Sequence, residues 1–555
     1  MLNRLNIFSN PHLDNRCPGV LECVSVLREK ITNAELTCVI IETRGLWCYV
    51  SGTDEELSFV GSSLLVKDSS GDIVEDLYDR ERQRFLVGLL PIVRGWSTQE
   101  GNPKITEEYV ITLNNEGIPD WSPPILPPPF DLFKDVVIRG YQLDAITAGI
   151  SGRCGIIKVP TSGGKTLLMG AIARLIDLPT LILVPTAPLV RQVIRALEDL
   201  GITGIGQAGD GEFDPGKITV ADVRYLKRLL IRGNKTARKL CDAVKVVLVD
   251  ECQGVGNDTT STIIHATKAT WRVGFSGTPF QKPENPTFRD LLLIGMLGPV
   301  LYEIPAQELQ RDGFIATPQI YFVTVHTPNL HHYHVDSNWP RPRKSKIFMK
   351  VIDEGIVNHT ARNQLAMDAT WIFVRRWNLS TLILVNRIEH GKVLLSGLAS
   401  RKISAVFVAG DKMVYKQDDL SIETCADVII NHESQTVASF ARGEYEVLIG
   451  SPVFGVGYNL PGDMVQAMIP LCAGKGSQPV IQRLGRSLRP KDHGNSVIIL
   501  EFQDDHHFYL RNHSNARRRA YAGEGYKVLG NNEFIRDILH GTTPPVALAT
   551  ENDIW

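Results

Sequence analysis

Two stretches of this chain share one rhythm. Runs of three to six mostly aliphatic residues alternate with helical segments, first from about residue 131 and again after about 370. The first set is GIIKV (155–159), LILV (181–184), ITV (218–220), VVLV (246–249) and VGFS (273–276). The second is TLILV (381–385), AVFV (405–408), VLIG (447–450), MVQAMI (464–469) and VIIL (497–500). Short unbroken runs of Val, Ile and Leu suit strands buried on both faces. Between the first two runs, TLLMGAIARLI sets Leu168, Ile172 and Leu175 at helical spacing. Repeated strand–helix–strand units close as a parallel sheet covered by helices. The sequence therefore predicts an α/β fold of two tandem parallel-sheet lobes, over 131–318 and 351–505.

The flanks read differently. Residues 1–117 mix short apolar runs such as TCVII and RFLVGLLPIV with polar turns, which predicts an N-terminal α+β accessory domain. Residues 118–130 (IPDWSPPILPPPF) hold six prolines. Proline fixes φ and resists helix and central strand alike, so this is a linker or extended strap. Residues 319–350, around HTPNLHHYHVDSNWPRPRKSK, read as an irregular connector or insertion. Residues 506–555 read as a tail, basic and aromatic in its first part.

At 555 residues the chain exceeds what one core usually holds. Its 43% hydrophobic and 22% charged residues fit a soluble globular protein, and a net charge of -2 argues against a general polyanion binder. A basic groove inside a neutral protein stays open. No apolar run reaches the roughly 18 residues that cross a bilayer, and the N-terminus lacks the apolar core of a secretory signal. Nine scattered cysteines form no CxxC pair. Reduced thiols in a cytoplasm are the expectation, not a disulfide framework or zinc ribbon.

Three features carry chemistry. VPTSGGKT (159–166) follows one predicted strand and opens a predicted helix, the context of a phosphate cradle. The common form has glycine six positions before the lysine; here that position is Val159. Backbone N–H groups of Ser162, Gly163, Gly164, Lys165 and Thr166 would face phosphate oxygens, aided by the helix dipole. Lys165 would neutralise the β and γ phosphates, and the Thr166 hydroxyl would hold Mg²⁺. A capped helix with an exposed lysine is the bland alternative. Second, VVLVDECQ (246–253) is an apolar strand ending in two carboxylates, placing Asp250 and Glu251 just past its C-terminal end, where open α/β sheets bind ligands. Asp250 suits the Mg²⁺ shell; Glu251 suits orienting and deprotonating a water. Third, QRLGRSLRP (482–490) puts Arg486 and Arg489 three apart, on one face of a helix. Guanidinium groups from a second lobe can stabilise charge developing on a γ-phosphate.

In this order the motifs resemble those of superfamily 2 helicases and translocases. RGYQ (139–142) resembles the adenine-reading segment, VPTSGGKT motif I, LVPTAPLVRQ (183–192) motif Ia, DECQ (250–253) motif II and SGTP (276–279) motif III. TLILVNRIEHG (381–391) resembles motif IV, VLIGSPVFGVGYNLPG (447–462) motif V, and QRLGRSLRP motif VI. With its PTSxGK core and an N-terminal module, the chain looks most like the phage UvsW-type branch-migration helicases, with XPB-like translocases related. The resemblance implies two RecA-like lobes, ATP and Mg²⁺ as cofactors, and DNA as partner: duplex, forked or four-way, with single strands possible. It implies a phage-encoded DNA helicase or translocase of the host cytoplasm, active in replication, recombination or repair. Arg139 and Gln142 would hold the adenine side, and Thr161 would join the loop. Gln482 would sit near the γ-phosphate. Gly455 and Gly457 would shape the motif V loop, Gly457 beside the nucleotide. Ser276 and Thr278 would couple the sites. Pro185, Thr186, Gln192, Asn386 and Arg387 would lie near the tracked strand.

Some residues depart from the pattern. Motif II ends in Gln253, where His or Asp is common, and motif V has Asn459 where an acid is frequent. ITVADVRYL (218–226) resembles motif Ib but has Asp222 in place of threonine, and a carboxylate repels phosphate. FYLRNHSNARRRAYAGEGY (508–526) mixes arginine with tyrosine; Arg517, Arg518 and Arg519 suit phosphate contact, and a helix packed on lobe two accounts for them equally. His326, His331, His332 and His334 favour a polar loop over a metal site. Trp47, Trp96 and Trp121 favour core packing over base stacking. The rival functions are an RNA helicase, the motor subunit of a restriction complex, or a nucleic-acid scaffold with a dead ATPase; intact Lys165, Glu251 and Arg489 argue against the last.

Overall fold

The computed structural model describes residues 38–44, 46–67, 73–90, 92–93, 104–108, 132–133, 136–160, 162–280, 287–326, 330, 332–333, 339, 341–409, 413–417, 423–424, 432–450, 465–472, 496–523 and 525–542. Trp96, Trp121, the proline-rich segment, His331 and His334 lie outside them.

The N-terminal module is α+β. Strands β1 (Cys38–Arg44), β2 (Trp47–Ser51), β5 (Arg84–Leu86) and β6 (Lys104–Glu108) form a sheet in the order β5-β2-β1-β6. Between β2 and β5 come the helix Asp54–Ser63 and a small antiparallel pair, β3 (Leu65–Lys67) with β4 (Ile73–Asp76). Ile41, Cys48, Val50, Val60 and Phe85 fill its core.

The first lobe is an eight-stranded sheet. It comprises β7 (Cys154–Lys158), β8 (Thr180–Val184), β9 (Ile205–Gly209), β10 (Glu212–Asp214), β11 (Ile218–Asp222), β12 (Val246–Asp250), β13 (Trp271–Ser276) and β14 (Val300–Glu303), in the order β10-β9-β11-β8-β12-β13-β7-β14. Only β10 runs antiparallel to its neighbour. The aliphatic runs of β7, β8, β12 and β13 are buried on both faces, as their lack of alternation implies. Each such side chain contributes about 1.5–3 kcal/mol of burial. Register brings the polar ends together: Ser276 pairs with Lys158, and Asp250 with Phe275.

The second lobe is a nine-stranded sheet. It comprises β15 (Thr317–Val325), β16 (Thr381–Leu384), β17 (Ala405–Ala409), β18 (Met413–Lys416), β19 (Glu423–Thr424), β20 (Val447–Gly450), β21 (Ala467–Pro470), β22 (Ser496–Asp504) and β23 (Val528–Leu529), in the order β19-β18-β17-β20-β16-β21-β22-β15-β23. Both lobes are thus mostly parallel sheets flanked by helices, the RecA-like arrangement.

Two assignments change. Residues 317–325, divided by sequence between lobe one and the connector, form β15 and pair along their whole length with β22. The segment from 506, read as a tail, contributes the helix Phe508–Gly523 and edge strand β23 to the second lobe. Arg517 is corrected with it. It is fully buried, its Nε 2.9 Å from Glu501 Oε2, and its Nη2 donates to the carbonyl of Phe502 at 2.9 Å. The Arg362–Asp504 pair, 2.9 Å apart, lies alongside. A buried, ion-paired guanidinium cannot be withdrawn without leaving a charge unpaired, so Arg517 holds the helix on the sheet and is not a phosphate contact.

The N-terminal module is seated on lobe one through the helix Phe288–Leu297. A Cβ at Gly88 would lie 1.8 Å from the carbonyl oxygen of Ile294, and one at Gly295 would lie 2.8 Å from Leu86 Cδ1. Trp47 stacks on His265 of lobe one with centroids 5.5 Å apart, and the Arg84 guanidinium lies 3.9 Å from its ring. Trp47 thus packs at a seam between domains. Gly88→Ala is expected to cost about 1–3 kcal/mol by overpacking this seam. Denaturant unfolding measures it; an unchanged midpoint would contradict the tight seat.

Candidate nucleotide site and nucleic-acid track

The loop after β7 owes its path to two left-handed residues, Ser162 (φ 72°) and Gly164 (φ 85°). Gly164 is the N-cap of the helix Lys165–Ile176, so the first turn's free N–H groups open toward the loop. Val159 explains the glycine pattern. It is fully buried, and a Cβ at Gly163 would lie 2.4 Å from its Cγ1. The valine fills the space beneath the loop, and the glycine above it must then lack a side chain. Thr161 lies outside the described residues; Thr166 stands on the first helical turn.

Between β7 and β12 lies β13, and the loop arches over its end to reach motif II. Lys165 Nζ is 2.7 Å from Glu251 Oε1, with side-chain exposures of 11% and 23%. Gln253 Nε2 donates to the other carboxylate oxygen of Glu251 at 2.8 Å. The Glu251 N–H donates to Asp250 Oδ1 at 3.0 Å. Glu251 itself is left-handed, φ 50°, ψ 55°, a strained setting for a residue with a side chain and one that clusters at functional sites. Burial lowers the Lys165 pKa, but the charges of Glu251 and Asp250 outweigh it and hold it above the ordinary value. Burial pushes the Asp250 carboxyl up to about 6, with Lys165 opposing and Glu251 adding to the rise.

The other flank is the segment resembling the adenine reader. The Arg139 N–H donates to Gln142 Oε1 at 3.0 Å, capping the helix Gly140–Gly152. A Cβ at Gly164 would lie 2.6 Å from Gln142 Nε2. Tyr141 Oη donates to the Gly163 carbonyl at 3.0 Å. Sequence reasoning passes over Tyr141, although it stands inside RGYQ. Motif III is bonded to the same loop: the Val159 N–H donates to the Ser276 carbonyl at 3.2 Å, and Ser276 Oγ accepts from the Thr278 N–H at 3.0 Å.

Further along the edge, Pro185 and Thr186 follow β8, and Thr186 is the N-cap of the helix Ala187–Asp199, which carries Gln192. Thr186 Oγ1 and Gln192 Oε1 are buried without a hydrogen-bond partner among the described residues. Asp222 acts within its own turn, where its carboxylate accepts from the Arg224 and Tyr225 N–H groups at 2.7 and 2.8 Å as an N-cap. In lobe two, Asn386 is exposed and Arg387 lies 3.4 Å from Asp353. Arg518 and Arg519 are exposed. Gln482, Arg486, Arg489, Gly455, Gly457 and Asn459 lie outside the described residues. Among the described residues no group of three metal-ligating side chains occurs, and His326 and His332 are exposed. No described helix is long and apolar enough to cross a membrane.

One element escapes the sequence reading. Part of the segment read as an irregular connector is the helix Arg341–Ile352, with Arg343, Lys346 and Lys350 exposed on one face. Its Phe348 packs on Tyr509, centroids 5.7 Å apart, and its Met349 touches Arg387 of motif IV. The signal is present in RPRKSKIFMK, five cations without an acid, but the prolines before it point to a loop.

Residues 135–281 match the family model described as Type III restriction enzyme, res subunit. The chain is 27% identical over 385 residues to the DNA 3'-5' translocase XPB2 of Sulfurisphaera tokodaii, covering 66% of this chain and 81% of the relative. It is 21% identical over 373 residues to the ATP-dependent DNA helicase uvsW of Enterobacteria phage T4, covering 66% and 68%. The crystal structure of T4 UvsW aligns over 89% of this chain and 99% of that chain at 16% identity, with a TM-score of 0.38.

The raised Asp250 carboxyl gives a signed expectation. Its folded value, about 6, exceeds its ordinary 3.8, so ionisation costs folding free energy. That cost is absent below 3.8, grows between 3.8 and about 6, and is complete above. Without nucleotide or Mg²⁺, Asp250→Asn is therefore expected to gain stability over the native protein as pH rises through this window. Parallel denaturation curves from pH 4 to 8 would contradict it.

Proposed function

We propose that this chain, which belongs to the superfamily 2 helicases and translocases, couples ATP hydrolysis to movement along DNA, unwinding or branch-migrating duplex and branched substrates. The observation that carries this reading is the Lys165–Glu251 pair, 2.7 Å apart, beside Asp250 at the mouth of a helix-opening loop. The N-terminal module would help recognise branched or duplex DNA. The place of action is the cytoplasm, in keeping with nine scattered cysteines that form no CxxC pair.

The pair is where the proposed cycle starts. Lys165 and Glu251 neutralise each other at 2.7 Å. The arriving triphosphate, carrying more charge, draws Lys165 away, aided by the N–H groups of 162–166. Glu251, steadied by Gln253, can then orient a water and take its proton. Thr166 and Asp250 would hold Mg²⁺, which would supply positive charge to offset that of the phosphates. Gln482, Arg486 and Arg489 of lobe two would complete the pocket on the γ-phosphate side, so closure of the lobes and catalysis coincide. Arg139 and Gln142 would hold the base.

The track follows the same edge. Thr186, Pro185 and Gln192 in lobe one, and Asn386 and Arg387 in lobe two, would contact backbone phosphates. The basic face Arg343–Lys346–Lys350 would extend the lobe-two surface, with Arg518 and Arg519 as outlying cations. Alternating grip by two lobes turns opening and closing into stepping.

Lys165→Ala is expected to lower ATP turnover about 10²-fold or more while the fold stays intact; retained turnover would refute the site. Native turnover is expected to rise most with forked or four-way DNA, and stronger stimulation by RNA would refute the DNA reading. Lys346→Glu with Lys350→Glu is expected to weaken DNA stimulation and to flatten its salt dependence, by about one unit of log–log slope for each phosphate no longer neutralised. An unchanged slope would remove this helix from the track.

A further inference from the structure

The segment that joins the lobes touches the nucleotide site. The last helix of lobe one, Ala306–Arg311, ends in a Schellman cap. The Phe314 N–H donates to the Leu309 carbonyl at 2.7 Å, the Gly313 N–H donates to the Gln310 carbonyl at 3.0 Å, and Gly313 is left-handed, φ 74°. This cap reverses the chain and fixes the direction in which Phe314 leaves it. The Phe314 ring lies 4.3 Å from the Arg139 guanidinium carbon and 5.7 Å, centroid to centroid, from Tyr141. Leu309, one turn earlier, would be 3.4 Å from a Cβ at Gly163 of the phosphate loop. Three residues after Phe314, at Thr317, the second lobe's sheet begins. A single turn of chain thus contacts the phosphate loop, the base-side arginine and the first strand of the other lobe.

We infer that Phe314 is a positioning residue for the nucleotide base: its ring stacks on one face of the Arg139 guanidinium and presents the opposite face to a purine. A guanidinium is planar and delocalised, so it can be sandwiched between two π systems. Arg139 is long and half-buried; its Nη1 lies 3.5 Å from Tyr141 Oη, a long contact, and the ring beneath it narrows the rotamers the platform samples. Gln142 cannot substitute, since its Oε1 is committed to the Arg139 N–H. Because Phe314 sits on the connection between lobes, a base stacked on Arg139 also steadies the turn about which the lobes move. This rests on the nucleotide-site reading given above.

The test compares the native protein with Phe314→Ala, Phe314→Leu and Phe314→Tyr. The KM for ATP and the inhibition constant of inorganic tripolyphosphate, which has phosphates and no base, are measured for each. The alanine and leucine variants are expected to raise the KM for ATP about three- to tenfold, with tripolyphosphate inhibition unchanged. Tyrosine is expected to restore the native KM. Leucine keeps the apolar volume, so a purely structural role would leave it near native. A leucine variant with native KM, or a parallel rise in both constants, would overturn the inference and leave the phosphate site standing. A native protein that hydrolyses no ATP would overturn the nucleotide-site reading, and this inference with it.

Discussion

The 2.7 Å ion pair between Lys165 and Glu251 is the constraint around which lobe one is organised. A lysine and a glutamate with little solvent access are costly apart and balanced together. Their meeting depends on the sheet. Strand β13 spaces β7 from β12, and the register that pairs Asp250 with Phe275 and Ser276 with Lys158 levels the three strand ends. Only then can a loop crossing β13 place Lys165 against motif II. Two left-handed residues at 162 and 164 make the crossing, and a third at Glu251 turns the carboxylate to meet it. Strain on both sides of one contact marks it as a place of work.

The same loop is the hub of a continuous set of contacts. Motif III is bonded to Val159, Tyr141 holds the Gly163 carbonyl, and Leu309 packs beside Gly163. On the far side, the Cys252–Gly256 turn of motif II packs on the helix that seats the N-terminal module: a Cβ at Gly256 would lie 2.8 Å from the Arg289 carbonyl oxygen. Glycines at 88, 256, 274 and 295 let these elements approach closely. Close-packed elements transmit displacement instead of absorbing it. Events at the phosphate loop therefore have a short physical route to both neighbours of lobe one.

Much of this is legible in the sequence, for identifiable reasons. Buried parallel strands must be aliphatic on both faces, so the runs at 155–159, 181–184, 246–249, 381–385 and 447–450 declare themselves. Asp250 and Glu251 are legible because a charged pair cannot sit within such a run. Strand β15 is not, because its partner β22 lies far along the chain and its own apolar residues stand outside the strand–helix rhythm. Arg517 misleads for a related reason. In sequence it is one of three adjacent arginines, and only the fold shows that one of them turns inward to Glu501 while Arg518 and Arg519 face water. Phe314 and Tyr141 carry no signature of their own; their contacts with Arg139 and Gly163 follow from a helix cap and a hydroxyl seen only in three dimensions.

The central claim is that Lys165 is held by Glu251 until a triphosphate displaces it. Titration of a fluorescent ATP analogue against the native protein and Glu251→Gln tests this most directly. With the carboxylate gone, Lys165 no longer has to leave a partner, so the variant is expected to bind the analogue several-fold more tightly while its turnover falls by about 10²–10⁴. Equal or weaker binding by Glu251→Gln would contradict the account.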